Sequence, residues 1–565
     1  MYALELEKAC IHVYCFGTLG RRWYRRVAGM SNRAQFYKKH SILVVDDSDQ
    51  IRSYMKSTLA LLGFEDIYLA RDADMALHLC KRMPFDFILA DLHLGRGRDG
   101  YQLFELLRQE RLLKPTCCFI VVSAERQRHA VYGVIEFEPD DYLLKPFSYA
   151  ELERRISRAC HLKLALKHVY QAIHQGDFAA GVQACDAVVA ENSRYAMHAS
   201  RMKAELLIHL GEYQQAEQLY EWALTVREFS WARLGLAVTY GYQERKPEAE
   251  RLLHELSAQA ETRIEALDWL TRLYISEKKP LEALTAVEQV AKSSPRNYLR
   301  QHVLATLAGI AAQRDVAVEV HHKLLSAARF SMYDTADNML NYARALVEQA
   351  KDLQGNELAA QIEKVKDFIF NIRRRFNPAN FAHDRLVVEA RLLSLQGQTQ
   401  KAIELLEQSE RLALDKPQTA AAVLDRARAY FDVGNLAMCD HYMGTLSSLT
   451  QGESLYNSAL QLMMEHEQAK HQAMRQQLME QNAAGMDAYG SGDFVMAIDY
   501  FRSALQSMPA NVNIALNLLQ ALSMRKVLDK EYKALAQHCI SVIDAGGVPD
   551  DQQKRYEVIR NNLDL

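Results

Sequence analysis

Ile42-Leu43-Val44-Val45-Asp46-Asp47 joins an uninterrupted apolar run to a pair of carboxylates. The arrangement recurs three times further along the chain, in Phe87-Ile88-Leu89-Ala90-Asp91, Phe119-Ile120-Val121-Val122-Ser123 and Tyr142-Leu143-Leu144-Lys145-Pro146. Short continuous apolar runs separated by helix-length segments are typical of buried parallel strands. The pattern therefore predicts a doubly wound α/β domain with a parallel sheet.

The polar residues that end these runs are predicted to meet at one site. In a doubly wound sheet, ligands bind beyond the carboxyl ends of the strands, where the strand order reverses. Carboxylates gathered there repel one another unless a cation neutralises them, and Mg²⁺ is a hard ion that suits oxygen ligands. No histidine or cysteine accompanies Asp46, Asp47 and Asp91 at metal-binding spacing, which argues against zinc or a redox metal.

Lys145 and Ser123 add the remaining groups that phosphoryl transfer needs. An ammonium and a metal ion neutralise phosphoryl oxygens, and a hydroxyl donates a hydrogen bond to one of them. A carboxylate then serves as the nucleophile and forms an acyl phosphate. Asp91 is the best candidate because it stands alone on its run, whereas Asp46 and Asp47 come as a pair. The alternative is that these are strand-end carboxylates satisfied by loop amides.

This combination resembles the receiver domain of bacterial two-component response regulators, from Ser41 to about Cys160. The acidic pair, the lone aspartate, the serine followed by Ala124 and the Tyr-x-x-Lys-Pro-Phe string from Tyr142 all match. The resemblance implies a flavodoxin-like fold with a five-stranded sheet. It also implies that Asp91 accepts a phosphoryl group from a histidine kinase or a phosphotransfer protein. The domain is then expected to catalyse only its own phosphorylation and dephosphorylation, and is not otherwise an enzyme.

The resemblance also implies a ligand set for Mg²⁺. Asp47, Asp91 and the backbone carbonyl of His93 are expected to hold the ion directly, with Asp46 acting largely through water. The loop after Asp91 departs from the family, because Gly95 stands where most receivers have proline and the loop is about one residue longer.

The resemblance further implies a switch. Ser123 is expected to move toward the phosphate while Tyr142 swings inward, which remodels the face formed by Val131–Glu138 and Ser148–Arg158, the last two helices. The Lys145–Pro146 bond is expected to be cis, a geometry nearly confined to bonds that precede proline.

After Cys160 the chain changes to amphipathic helix with an internal repeat. A small residue recurs about 34 residues apart, a period typical of the tetratricopeptide repeat, at Gly181, Ala216, Ala249, Ala283 and Ala317, and again at Ala402, Cys439 and Ala497. Arrays of such repeats form concave surfaces that bind other proteins. The output of the chain is therefore predicted to be a groove of tetratricopeptide repeats that binds one or more protein partners.

These features divide the chain into five predicted segments. They are an N-terminal extension (1–38), the receiver (39–160), helical repeats (161–330), an irregular helical break (331–380), and further repeats with C-terminal helices (381–565). Translation is expected to start at Met30, so that the first 29 residues are not native. A membrane-surface anchor built on the basic stretch Arg21–Arg26 is the alternative.

Composition limits the other function classes. The 565 residues carry a formal net charge of −3, which gives no global case for nucleic-acid binding. The nine cysteines lack CxxC spacing and are typical of reduced thiols, so the protein is expected in the cytoplasm. No apolar run approaches transmembrane length.

Several hypotheses follow. The favoured one is an adaptor in which phosphorylation of Asp91 controls partner binding by the repeats. A second is a phosphate sink or relay receiver that the repeats tether near kinases. A third is a regulator that binds nucleic acid through its helical repeats. A fourth is a dimerisation module that does not respond to phosphate.

Overall fold

A computed structural model describes most of the chain. The described residues are 35–124, 139–191, 193–414, 416–509, 511–525, 529–546, 548, 552–561 and 563. The N-terminal extension up to residue 34, and with it the predictions about Met30 and the basic stretch, lies outside them. So does the helix predicted at Val131–Glu138.

The first part of the chain forms one parallel sheet. Its strands are β1 (Ile42–Val45), β2 (Ile67–Ala70), β3 (Phe87–Asp91), β4 (Cys118–Ser123) and β5 (Asp141–Leu144). They lie in the order β2-β1-β3-β4-β5, and every neighbouring pair is parallel. This order confirms the predicted five-stranded flavodoxin-like sheet.

Both faces of the sheet are buried, which explains why the strands are continuous apolar runs. Successive side chains of a strand point to opposite faces. Accordingly, Leu43 and Val45 belong to one hydrophobic cluster, while Ile42 and Val44 belong to the other. The described helices of this domain are α1 (Asp49–Leu62), α2 (Ala73–Arg82), α3 (Gly100–Gln109) and α4 (Tyr149–Ala165).

Local sequence sets where these helices begin and end. Ser48, Asp72, Asp99 and Ser148 each accept a hydrogen bond from a main-chain N–H of the first helical turn. Helix α1 ends at Gly63, whose φ of 107° is left-handed and favours glycine. The start of α4 confirms the helix predicted from Ser148 onward.

The described remainder of the chain is helical. Its helices are α5 (Lys167–Gln175), α6 (Phe178–Ala190), α7 (Ala196–His209), α8 (Tyr213–Val226), α9 (Ser230–Tyr242), α10 (Lys246–Ser257), α11 (Arg263–Ser276), α12 (Pro280–Ser293), α13 (Tyr298–Ile310), α14 (Arg314–Ala327), α15 (Ala336–Ala350), α16 (Gly355–Ile372), α17 (Pro378–Leu395), α18 (Thr399–Ala413), α19 (Ala420–Asp432), α20 (Leu436–Leu449), α21 (Leu455–Gly490), α22 (Phe494–Ser507), α23 (Val512–Ser523), α24 (Lys530–Gly546) and α25 (Gln553–Asn561). Among these helices, α21 spans 36 residues.

The chain divides into two compact units. The first contains the sheet domain and the helices up to Gln301, together with Ala327–Asp334, and the second contains His302–Ser326 and Thr335–Leu565. In both units, helices that follow one another along the chain pack together, as in α9 with α10 and α17 with α18.

The recurring small residues are buried, as the repeat predicts. Ala216, Ala249, Ala283, Ala402 and Ala497 are all fully buried. Glycine at other helix contacts is required sterically, because a Cβ at Gly235 would lie 2.2 Å from Cζ of Tyr220. Close approach of paired helices therefore rests on small side chains.

The segment predicted as an irregular break requires a correction. Residues 331–380 contain two regular helices, α15 and α16, and the start of α17. The segment lacks the small-residue signature, but Leu346, Val347, Val365 and Ile369 still form an apolar core between the two helices. A short turn separates α16, which ends at Ile372, from α17, which starts at Pro378.

A buried ionic cluster joins three helices of the second unit. The Arg391 side chain on α17 is 0% exposed, and its guanidinium contacts Glu348 on α15 and Asp432 on α19. Its Nη1 lies 2.5 Å from Oδ1 of Asp425, also on α19. Because the removal of one partner from a buried ion pair leaves an uncompensated charge, loss of any one of these side chains is expected to destabilise the contact between the three helices.

None of the described helices combines the length and the apolarity that a membrane crossing requires.

Candidate functional site

The sheet register brings the predicted polar residues to one edge. Val45 pairs with Ala90, so Asp46 and Asp91 each come directly after paired positions of β1 and β3. Asp91 pairs with Val122 on β4, which Ser123 follows. Ser123 pairs with Leu144 on β5, and Lys145 comes next. These side chains therefore leave neighbouring strands at their carboxyl ends.

Lys145 connects the two buried carboxylates. Its Nζ lies 2.5 Å from Oδ2 of Asp91 and 2.6 Å from Oδ2 of Asp46. The side chains are only 14%, 12% and 4% exposed for Lys145, Asp91 and Asp46 respectively. Charge-assisted hydrogen bonds of this length are strong when water is largely excluded.

The environment shifts the pKa values of two of these groups. Burial raises the pKa of Asp91 above its ordinary value, and the hydrogen bond and charge of Lys145 oppose that rise. Burial would lower the pKa of Lys145, but its hydrogen bonds to Asp46 and Asp91 outweigh burial and raise it. Lys145 is therefore a permanent cation at the site.

Asp46, Asp47 and Asp91 form a compact set of oxygen donors. One carboxylate oxygen from each lies within 4.8 Å of the others, which is close enough for all three to contact one ion. Asp47 is exposed to solvent at the mouth of the site, whereas Asp46 is buried. The described donors of this set are all oxygens, which fits the preference of Mg²⁺.

The loop after Asp91 packs against the carboxylates. The main-chain N–H of His93 donates to Oδ1 of Asp91 over 3.2 Å. Gly95 and Gly97 have left-handed φ angles of 73° and 105°. This backbone conformation favours glycine, which explains why the loop contains both residues. A Cβ at Gly95 would lie 3.3 Å from Oδ2 of Asp47, which leaves little space between the loop and the site.

The other predicted switch residues lie on or directly after β4 and β5. Ser123 is completely buried, and its carbonyl accepts a 2.7 Å hydrogen bond from the main-chain N–H of Lys145. Tyr142 is also buried in the hydrophobic core. The Lys145–Pro146 bond is cis, as predicted.

One residue that supports the site could not be predicted from the sequence. Arg52 on α1 donates from Nη1 to the main-chain oxygen of Asp46 over 2.6 Å and also pairs with Asp49. This contact holds the backbone at Asp46, directly after the end of β1. Its signal in the sequence is weak, since it depends on the rotational phase of α1 relative to β1.

Comparison with known proteins is consistent with this geometry. The profile of the response regulator receiver domain matches residues 42–157. The chemotaxis protein CheY-3 of Vibrio cholerae is 30% identical over 121 residues, which are 21% of this chain and 92% of that protein. A probable transcriptional regulator, ycf27, of Porphyridium aerugineum is 35% identical over 119 residues. That match spans 47% of the regulator's own length and 21% of this chain.

Solved structures are similar to part of the chain. The receiver domain of Francisella response regulator 1452 is 29% identical, with 22% of this chain and 97% of that domain covered and a TM-score of 0.20. The family match covers residues 42–157, which contain the sheet, and the helical remainder lies outside it.

Proposed function

Through residues 42–157 this chain belongs to the response regulator receiver domain family, and we propose that it is a phosphorylation-controlled adaptor. In this proposal a histidine kinase or phosphotransfer protein phosphorylates Asp91, and the helical repeats bind a protein partner in response. The observation that carries the proposal is the contact of Lys145 with Asp91 and Asp46, beside the exposed carboxylate of Asp47.

Asp91 is the nucleophile in this proposal. One of its carboxylate oxygens attacks the phosphorus of a phosphohistidine, so that an acyl phosphate forms as the nitrogen–phosphorus bond breaks. Lys145 already lies against the carboxylate and would neutralise charge on the incoming phosphoryl oxygens. Ser123, at the same sheet edge, would donate a hydrogen bond to one of them.

The donor set fits a magnesium ion. Asp46, Asp47 and Asp91 present oxygens close enough to share one cation, and the backbone carbonyl of His93 would complete the protein ligands. When bound, Mg²⁺ supplies a second positive charge for the phosphoryl oxygens. Without a cation, the carboxylates would repel the incoming anionic phosphoryl group.

The helical remainder supports a protein-binding output. Buried small residues recur at about the 34-residue period of the tetratricopeptide repeat, and arrays of that repeat bind peptides and partner helices. The proposed output therefore differs from that of relatives named as transcriptional regulators. We expect the protein to act in the cytoplasm, where the described cysteines, all free and buried, would stay reduced.

Phosphorylation of Asp91 can be tested directly. Incubation of the full chain with acetyl phosphate and Mg²⁺ should produce an acid-stable, base-labile phosphoprotein. Mass spectrometry should place the phosphate on the peptide that contains Asp91. Asp91→Asn should abolish the modification because an amide cannot form the acyl phosphate.

Asp66→Asn is the matched control, since Asp66 is an exposed aspartate of the same domain. This variant should be modified like the wild type. Equal modification of the Asp91 variant and the wild type would refute Asp91 as the acceptor.

A further inference from the structure

The first unit contains a set of contacts between helix α3 of the receiver and residues near the ends of repeat helices. We call it the α3 junction; it consists of Asp99, Gln102 and Glu105 on the receiver side and Arg296, Arg329 and Tyr333 on the other. The two sides are separated by about 200 positions, and one contact spans 227. The three receiver residues recur at a spacing of three, so they lie near one face of the helix.

Two of the junction contacts lie at the first turn of α3. Nη1 of Arg296 lies 3.4 Å from Oδ2 of Asp99. Nε2 of Gln102 donates to the main-chain oxygen of Arg329 over 3.1 Å. Asp99 and Gln102 also form a reciprocal capping box at the start of the helix. The two residues that cap the start of α3 are therefore the same two that contact residues outside the receiver.

The third contact lies one turn further along. The hydroxyl of Tyr333 hydrogen bonds to the side chain of Glu105. The ring of Tyr333 stacks on Tyr298 with the ring centroids 3.9 Å apart. Tyr298 is buried and lies at the start of α13. The junction is thus continuous with the helical array.

The receiver side of the junction is coupled mechanically to the phosphoacceptor. The main-chain N–H of Gly100 donates to the oxygen of Leu92 over 2.9 Å, which closes the loop between Asp91 and α3. A Cβ at Gly100 would lie only 1.9 Å from the main-chain oxygen of Asp91. The first residue of α3 therefore rests directly on the backbone of Asp91.

A phosphoryl group on Asp91 would need space that this loop borders. His93 donates to the Asp91 carboxylate, and Gly95 approaches the Asp47 carboxylate closely. Added bulk and negative charge at Asp91 therefore act on the segment from Leu92 to Asp99. Gly100 packs against the Asp91 backbone without space for a side chain, so a displacement of Asp91 reaches the start of α3 directly.

We infer that the α3 junction transmits the phosphorylation state of Asp91 to the helical array by opening when Asp91 is phosphorylated. The inference rests on the proposed function and adds a route that does not use the face of the last two receiver helices. The effect is expected to be small, because Arg296 is 47% exposed and exposed ion pairs are weak. The loss of weak contacts of this kind changes the ratio of open to closed junction by about a few-fold.

Hydrogen–deuterium exchange on the full chain tests the inference. Beryllofluoride with Mg²⁺, a mimic of the phosphoryl group, should slow exchange in receiver peptides that contain Asp91 and Lys145. In the same samples, exchange in the peptide that spans Ala327–Asp334 should become roughly two- to five-fold faster. Arg296→Ala should show the faster exchange in that peptide without the mimic, and the mimic should then add little.

Arg251→Ala is the matched control, since Arg251 is an exposed arginine on α10 of the same unit. It should behave like the wild type. If the receiver peptides respond to beryllofluoride while Ala327–Asp334 does not, the inference is wrong and the proposed function stands. If no receiver peptide responds, both are wrong. An Arg296→Ala protein indistinguishable from wild type in both states would also overturn the inference.

Discussion

At the scale of single residues, Lys145 determines the electrostatics of the candidate site. Two carboxylates of unit charge about 4 Å apart repel by on the order of 4 kcal/mol at the effective dielectric of a protein surface. Lys145 offsets this repulsion by contacting both Asp46 and Asp91. Asp47 keeps its exposed carboxylate at the mouth of the site, so a further cation can still approach.

A buried glutamate in the second unit is governed by the same principle. Glu467 on α21 has a side chain that is 7% exposed, and its Oε1 accepts hydrogen bonds of 2.9 and 2.5 Å from Arg428 on α19. Burial would raise its pKa, but the charge of Arg428 outweighs burial and lowers the pKa from 4.5 to about 2. In the folded protein, Glu467 is therefore ionised at neutral pH.

This shift predicts an acid-dependent contribution to stability. A depressed carboxyl pKa stabilises the fold above the unfolded-state pKa and loses that effect as the pH falls through the folded-state pKa. Glu467→Gln should reduce the unfolding free energy by on the order of 3 kcal/mol at neutral pH. The difference from wild type should shrink from pH 4.5 downward and vanish near pH 2. Urea unfolding of the full chain at several pH values measures it.

Glu480→Gln provides the control on the same helix. Glu480 is exposed and accepts a hydrogen bond from Gln476, so its substitution should change stability little at any pH. A loss in the Glu467 variant that is the same at pH 7 and pH 3 would contradict the electrostatic explanation.

At the scale of helices, small residues determine how closely neighbours pack. Gly235 on α9 faces the ring of Tyr220, which is buried on α8, and Gly485 on α21 faces the ring of Phe501 on α22. In both places the aromatic ring occupies the volume that a side chain would need. At these positions of the repeat, a residue without a side chain on one helix is matched by a large aromatic ring on its neighbour.

Gly235→Ala should destabilise the first unit despite the better helix propensity of alanine. The added Cβ would lie 2.2 Å from the ring of Tyr220, and overpacking of a core costs about 1–3 kcal/mol. Thermal unfolding monitored by circular dichroism should show the loss.

Gly241→Ala, on the same helix, is the matched control. A Cβ at Gly241 meets nothing within 4 Å, so this variant should be neutral or stabilised by up to about 1 kcal/mol. If the two variants changed stability in the same direction, the steric explanation would fail.

At the scale of the whole molecule, a receiver and a long helical array share one chain. In such proteins a signal is useful only if the phosphorylated and unphosphorylated states differ in affinity for the output partner. The proposed function therefore makes a prediction about binding as well as about chemistry.

Affinity capture with the full chain should recover a protein partner whose yield depends on beryllofluoride. The dependence should disappear in Asp91→Ala, because the mimic then has no carboxylate to join. Coupling energies between sites are typically about 1–3 kcal/mol, so the affinity should change by roughly 5- to 150-fold. Partner yield that is identical with and without the mimic would refute the switch and favour a phosphate sink or relay.

The sheet and the candidate site could both be predicted from local features of the sequence. Apolar runs reveal buried strands locally, and polar residues at their ends must meet because parallel strands share one carboxyl edge. For this reason Asp46, Asp91 and Lys145 could be placed together before any distance was known. The period of small residues likewise indicated paired helices, although the same signature misjudged residues 331–380, where larger apolar side chains form the pair.

The pairing of distant polar side chains, in contrast, is visible only in the folded chain. Arg391, whose own side chain is fully buried, contacts residues 34 to 43 positions away, and Arg296 reaches Asp99 across 197 positions. The spacing of charged residues along a helix does not indicate which distant residues they will contact. Their pairing depends on the crossing angle and rotation of whole helices, which the packing of many side chains sets together.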